Sequence, residues 1–195
     1  MKKIAGVDEV GRGSLVGPVF AAAVILEKSI NKKVLRDSKS LSKTNREILS
    51  KYIKENSTWA IGKASVKEIE KMNILNASLL AMKRAIKKLK KKPSLTLIDG
   101  NKLPQLKNYN LKSIIKGDQK IPSISAASIL AKVKRDRYIT TLHEKFKKYH
   151  WNKNFGYGTK QHLKAIKKEG ITIHHRKTFS PINEIVLKKY TRYCK

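Results

Sequence analysis

The sequence predicts an α/β domain: a mixed central sheet of about five strands flanked by helices, ending in a helical C-terminal segment. Three observations point to it. Two apolar runs, Ile4 to Val10 and Val19 to Leu26, are separated by a turn so brief that they must pair as antiparallel neighbours. Two more short runs, Leu95 to Ile98 and Leu111 to Ile115, arrive only after long stretches of helical periodicity. From Ser123 onward the chain reads mostly as helix. At 195 residues it has the length of one ordinary domain and can bury a substantial core. Residues 1–195 are therefore expected to form a single unit, with about 145–195 as its helical C-terminal part.

Ile4 to Val10 reads as a buried strand because its apolar residues are nearly continuous, and Val19 to Leu26 does so for the same reason. Ser42 or Thr44 can cap a helix reaching Glu55, with Ile48, Tyr52 and Ile53 as its apolar face. Thr58 to Val66 is expected to be a third strand, followed by a short charged helix through Met72. Leu75, Leu79, Met82, Ile86 and Leu89 recur at three- and four-residue steps and mark an amphipathic helix. Its lysine-rich tail suits a helix C-terminus, and it stops before Pro93. The strand at Leu95 to Ile98 runs into Asp99-Gly100-Asn101, and the one at Leu111 to Ile115 into Lys116-Gly117-Asp118. A long helix from Ser123 to about Lys148 opens with Ser and Ala, which allow close approach to the sheet or to a substrate. Two last helices are expected over Lys160 to Lys168 and Ile182 to Tyr190.

The formal net charge is +31, from 45 Lys and Arg against 14 Asp and Glu. Such a balance implies an acidic partner: nucleic acid, an anionic membrane or an acidic protein. Lysine, isoleucine and asparagine are all abundant, so part of the excess is equally readable as the codon bias of an A+T-rich genome. A hydrophobic content of 40% argues against global disorder. The longest apolar run, Leu15 to Leu26, is too short to span a bilayer and contains Gly17-Pro18. The single cysteine, Cys194, forms no internal disulfide, as in a reducing compartment. The expectation is a soluble cytoplasmic protein, without membrane association, acting as a monomer.

In so basic a chain the positions of the acids are informative. Only five aspartates occur, Asp8, Asp37, Asp99, Asp118 and Asp136. Asp8 and Glu9 close the first strand, Asp99 closes another, and Asp118 follows a third by a few residues. Ligands of α/β sheets bind beyond strand ends, so these four carboxylates can converge. Consecutive strand residues point to opposite faces, so a shared site requires the strand to leave its pleat at Asp8-Glu9, which the glycines beyond permit. Oxygen ligands without clustered His or Cys suit Mg2+ or Mn2+ rather than zinc. Two such ions, roughly 3.5–4 Å apart, activate a water and stabilise the leaving oxygen of a phosphodiester. Taken singly, each acid is equally a turn former.

Gly11-Arg12-Gly13 offers backbone amides to a sugar or phosphate, with Arg12 adding charge, or is simply a turn. Gly156-Tyr157-Gly158-Thr159 presents an aromatic that stacks on a base or sugar, or packs at a hairpin. Asp37-Ser38-Lys39 reads as a capped loop. His174-His175-Arg176 has no acid nearby and reads as a phosphate contact or a cap on the fold rather than a metal pair.

Gly6 to Gly13, Asp37 to Leu41, Ile98 to Asn101, Lys116 to Asp118, Ser125 to Val133, Gly156 to Thr159 and His174 to Phe179 together resemble, in order and spacing, the bacterial ribonuclease HII family. The likeness runs from about Lys3 to Pro181. It implies a ribonuclease H-like fold and metal-dependent endonucleolytic cleavage of RNA in RNA–DNA hybrids. It also implies nicking at a single ribonucleotide in duplex DNA, leaving 3′-hydroxyl and 5′-phosphate ends. By the same resemblance Asp8, Glu9, Asp99 and Asp118 are the catalytic ligands of two Mn2+ or Mg2+ ions. Gly11, Arg12 and Gly13 sense the ribose 2′-hydroxyl through the main chain. Tyr157 packs on the deoxyribose that follows, Lys39 lies near the backbone, and the C-terminal part contributes to substrate binding. Before Gly156 the chain departs from the family: His150-Trp151 and Asn154-Phe155 stand where a Gly-Phe and then a His-Lys are usual. No counterpart is expected of the extra N-terminal domain of the related ribonuclease HIII. A non-catalytic basic nucleic-acid-binding protein, or a degenerate ribonuclease, is the alternative.

Overall fold

The first strand of the chain becomes the middle of its sheet. The structure, a computed structural model, describes residues 3–35 and 42–191. Strands β1 (Ile4–Val10), β2 (Val19–Leu26), β3 (Ser57–Ala64), β4 (Leu95–Asp99) and β5 (Leu111–Ile114) form one sheet in the order β3-β2-β1-β4-β5. β1 is antiparallel to β2 and β2 to β3, as the short connection requires, while β4 runs parallel to both β1 and β5. The expected mixed sheet of five strands is what forms.

The helices are α1 (Lys43–Glu55), α2 (Val66–Lys87), α3 (Gly117–Lys120), α4 (Pro122–Lys145), α5 (Trp151–Asn154), α6 (Lys160–Glu169) and α7 (Ile182–Thr191). Ser42 caps α1 by accepting from the Asn45 amide. β3 ends at Ala64, earlier than the sequence suggests, because Ser65 and Glu68 form a capping box that starts α2 there. α2 is broken at Asn73, whose φ of 66° is not helical, so a short charged helix and a longer amphipathic one do succeed each other. α4 stops at Lys145 rather than near Lys148; Phe146 ends it and a 3-10 turn follows.

Alternation along the strands divides the core between two faces. Ala5, Val7, Ala21, Ala23 and Ile98 pack with Ala77, Ala81 and Ile86 of α2. Ala22 and Val24 face Ala126, Ala127 and Leu130 of α4, with Ile53 of α1 closing the layer. The small residues opening α4 let it lie directly on β1. A Cβ on Gly6 would stand 2.1 Å from the Ser123 carbonyl carbon and 2.3 Å from the Ile124 nitrogen. Any side chain there must push α4 off the sheet, and α4 carries part of the site.

A third apolar cluster joins the C-terminal helices to the loop after β1: Leu15 and Val16 pack with Ile139, Tyr149, Trp151, Ile166 and Ile182. Val16 also bridges to His175, so the chain returns from residue 174 to lie against the Gly-Arg-Gly turn. Among the described residues no helix is long and apolar enough to cross a membrane.

Candidate active site

β1 outruns its parallel neighbour. Pairing with β4 ends at Val7↔Ile98, whereas pairing with β2 continues to Val10↔Phe20. Asp8 and Glu9 therefore lie just past the last β1–β4 pair, abreast of Asp99. The expected departure of β1 from its pleat does not occur, because the register with β2 is unbroken through both residues. Both carboxylates nonetheless lie close enough to Asp99 for its charge to act on each of them.

The Asp8 carboxylate is buried, accepts from the Glu9 amide at 2.7 Å, and is hydrogen-bonded by Ser128 of α4. Glu9 accepts from the Arg12 guanidinium at 3.1 Å through Oε1, while its Oε2 is buried and finds no donor among the described residues. Asp99 accepts from the Gly117 amide at 2.6 Å, which ties the end of β4 to the start of α3. Asp118 is buried in the first turn of α3, reached through Lys116 in a left-handed conformation. Asp118 does not close β5, which ends four residues earlier.

Burial, and then the charges of Glu9 and Asp99, push the Asp8 pKa well above the usual carboxylate range. Burial also raises that of Glu9, against the opposing pull of Arg12. Carboxylates that disfavour their own charge, with one oxygen lacking a donor, are suited to an external cation. An all-oxygen set fits a hard divalent ion. Among the described residues, no three His, Cys, Asp or Glu side chains are arranged to hold an ion as they stand. The geometry accounts for this: Glu9 is drawn to Arg12, and one Asp99 oxygen is engaged by α3.

The Gly-Arg-Gly turn is held from inside by two arginines. Arg176, wholly buried, donates to the carbonyls of Gly11 at 2.7 Å, Arg12 at 2.7 Å and Gly17 at 2.9 Å. Arg135 of α4, also wholly buried, lies under Gly11, whose φ of 90° and missing Cβ allow the contact; a Cβ would stand 2.4 Å from its Nε. Gly13 differs, for a Cβ there meets nothing within 4 Å. No packing inside the protein requires it to be glycine, and its open side is where a ligand backbone can approach.

Tyr157 stands beside this turn. The Gly156 carbonyl accepts from the Leu15 amide at 2.9 Å and the Ser14 hydroxyl at 3.0 Å. The Arg135 guanidinium lies 5.0 Å from the Tyr157 ring centre and the Lys132 ammonium 5.9 Å. The tyrosine belongs to the loop entering α6, not to a hairpin. Ser128, Lys132 and Arg135 succeed each other on one face of α4, so a single helix serves both the acids and Tyr157. His175 and Arg176 point inward and cap the fold rather than contact phosphate. Lys39 lies outside the described residues.

The model of the family described as Ribonuclease HII matches residues 5–181. The chain belongs to the ribonuclease HII family. Ribonuclease HII of Pelagibacter ubique is 72% identical over 186 residues, which cover 95% of this chain and all of that one. The crystal structure of ribonuclease H2 from Pyrococcus horikoshii superposes with a TM-score of 0.77 at 27% identity, covering 94% of this chain and 96% of that one. The structure of Bst-RNase HIII in complex with Mn2+ shares the fold at 17% identity, with a TM-score of 0.76 over 95% of this chain and 70% of that one. With membership in the ribonuclease HII family comes the activity class, a metal-dependent endonuclease of the ribonuclease H type. Sequence reasoning missed Ser128 and Arg135, and read Arg176 as a phosphate contact or a cap on the fold without its hold on the Gly-Arg-Gly turn. Ser128 lies within the Ser125 to Val133 block without a role, and Arg135 looks like any other in a chain with 45 cationic side chains.

Proposed function

We propose that the protein hydrolyses the RNA strand of RNA–DNA hybrids and nicks duplex DNA on the 5′ side of an embedded ribonucleotide, leaving 3′-hydroxyl and 5′-phosphate ends. Asp8, Glu9, Asp99 and Asp118 hold two divalent ions, Mn2+ or Mg2+, and the protein works as a cytoplasmic monomer. When bound, such ions supply Lewis-acid charge to the attacking water and the leaving oxygen.

One observation supports this reading above the others: Arg176 draws the Gly11 and Arg12 carbonyls inward. In a planar trans peptide the N–H lies opposite the C=O. The amides of Arg12 and Gly13 are thereby turned outward, one strand end away from the carboxylates. Two fixed N–H groups beside a buried acid cluster suit a sugar hydroxyl, the group that separates RNA from DNA. Arg12 adds positive charge for the phosphate. Tyr157 packs on the sugar that follows, braced by Arg135, and brings the residues after 145 into substrate binding. Lys39 completes the contact to the backbone.

The test uses a labelled duplex with one ribonucleotide, an all-DNA control, and Gly13→Val. Wild type is expected to cut only the first, on the 5′ side of the ribonucleotide. Gly13→Val, whose Cβ meets no protein atom within 4 Å, is expected to lose roughly 100-fold in kcat/KM with little change in Tm. Equal cutting of the all-DNA control would refute the reading. So would binding without cleavage that ignores a chelator and falls steeply with salt.

A further inference from the structure

Each of the three carbonyls ending at Tyr157 is held by a donor from the protein interior. Phe155 accepts from Arg135 at 2.7 Å, Gly156 from Ser14 and Leu15, and Tyr157 both accepts from the Thr159 amide at 2.8 Å and pairs with Nδ1 of His162 at 2.9 Å. His162 is wholly buried in α6, and its Nε2 accepts from the Trp151 indole at 3.0 Å. An indole N–H only donates, so Nε2 carries no proton. The neutral ring must then carry its proton on Nδ1, which makes Nδ1 the donor to the Tyr157 carbonyl. A second proton would set the imidazolium N–H against the indole N–H. Packing alone gives Trp151 its place among Phe146, Tyr149 and His175. The polar pairing with His162 is what packing leaves unexplained.

We propose that Trp151 and His162 are positioning residues for substrate recognition: the indole fixes the Nδ1–H tautomer of His162, and that tautomer pins the Tyr157 main chain so that its ring stands ready beside the Gly-Arg-Gly turn. The proposal rests on the reading of Tyr157 as a contact to the sugar after the ribonucleotide. The groups facing His162 are the Trp151 indole, the Tyr149 phenol with ring centres 6.3 Å apart, the Thr159 hydroxyl and the His175 ring at 5.6 Å. None is a carboxylate able to stabilise an imidazolium. His174 lies against Trp151, not His162. Burial holds the His162 pKa below its usual value, and His175, which accepts from the Thr172 amide through Nδ1, is pushed down to about 3 by burial and by His162.

A duplex with one ribonucleotide needs Tyr157 at the following deoxyribose; a continuous RNA–DNA hybrid presents no such junction. The readout is therefore the ratio of kcat/KM on these two substrates between pH 5 and 8. Titration of Asp8 or Glu9 affects both substrates and cancels. The ratio in wild type is expected to fall at the acid end as His162 gains a proton. Trp151→Phe removes the bond that fixes the tautomer, so its ratio should be lowered at neutral pH and recover toward pH 5, where the imidazolium carries Nδ1–H in any case. His162→Leu should lower the ratio about tenfold at every pH. His162→Asn places an amide N–H near the position of Nδ1–H and does not titrate, so its ratio should stay near the wild-type value and become independent of pH. Equal losses on both substrates in all three variants would overturn the proposal. A ratio lowered by Tyr157→Ala but not by His162→Leu overturns it alone, whereas a ratio that Tyr157→Ala leaves unmoved overturns the reading of Tyr157 as well. Should His162→Leu not fold, the pH profiles of Trp151→Phe and His162→Asn decide, and profiles unchanged from wild type reject the proposal.

Discussion

Asp8→Asn should abolish cleavage, by about 1,000-fold or more, and at the same time make the metal-free protein more stable. The first effect follows from the proposed role of Asp8: removing one of the carboxylates proposed to hold the ions removes Lewis-acid stabilisation of several kcal/mol from the transition state, at about 1.4 kcal/mol per tenfold. The second follows from electrostatics. Asp8 is buried beside Glu9 and Asp99, and all three disfavour its charge. A carboxyl whose folded pKa lies above its unfolded value of 3.8 binds its proton more tightly in the native state. Stability is therefore greatest at acid pH and declines as pH rises from that value through the folded pKa. An isosteric amide removes this decline, so Asp8→Asn should be more stable than wild type at neutral pH and differ little from it at pH 4. Chemical unfolding with chelator, followed by addition of Mg2+ or Mn2+, separates the two effects. The ions should raise the wild-type Tm and leave the Asp8→Asn Tm nearly fixed. A destabilised Asp8→Asn in chelator would show that the acids support the fold rather than the chemistry.

Arg176→Lys should be as damaging as a non-conservative change. The guanidinium serves three carbonyls at once and lies 5.0 Å from the Phe179 ring centre. A lysine ammonium lacks the planar fork and cannot reach all three. At least one buried carbonyl is left without a donor, and each such loss costs about 1–3 kcal/mol. Burial and the nearby Arg135 already lower the Arg176 pKa to about 9, so the site tolerates the charge only because its hydrogen bonds are complete. An expected loss of about 3 kcal/mol in urea unfolding would be joined by a roughly 100-fold fall in kcat/KM under conditions where the variant is still folded, because the Arg12 and Gly13 amides are no longer aimed. Full activity in a destabilised Arg176→Lys would separate the turn from recognition.

Most of the architecture is legible in the chain because apolar runs and their spacing are local signals. Ile4 to Val10 and Val19 to Leu26 identify themselves, and the short turn between them fixes their direction. The convergence of Asp8 and Glu9 is visible only in part. It depends on β1 reaching past β4, a property of how two distant segments register and not of either alone. Arg135, and the hold of Arg176 on the Gly-Arg-Gly turn, are hidden for a different reason. Charged residues mark solvent in most sequences, and nothing within the chain distinguishes a guanidinium that folds inward to hold a turn. His162 is hidden likewise, since its role depends on an indole eleven residues away in another helix.

Single-turnover cleavage of a duplex with one embedded ribonucleotide, measured with Mg2+ or Mn2+ and again with chelator, tests the four-acid site most directly. Asp8→Asn, Glu9→Gln, Asp99→Asn and Asp118→Asn are compared with wild type after each is shown to be folded. Cleavage by wild type only when metal is present, and its near-complete loss in all four variants, is the expected result. Cleavage that persists in chelator, or that Asp99→Asn leaves undiminished, would contradict it.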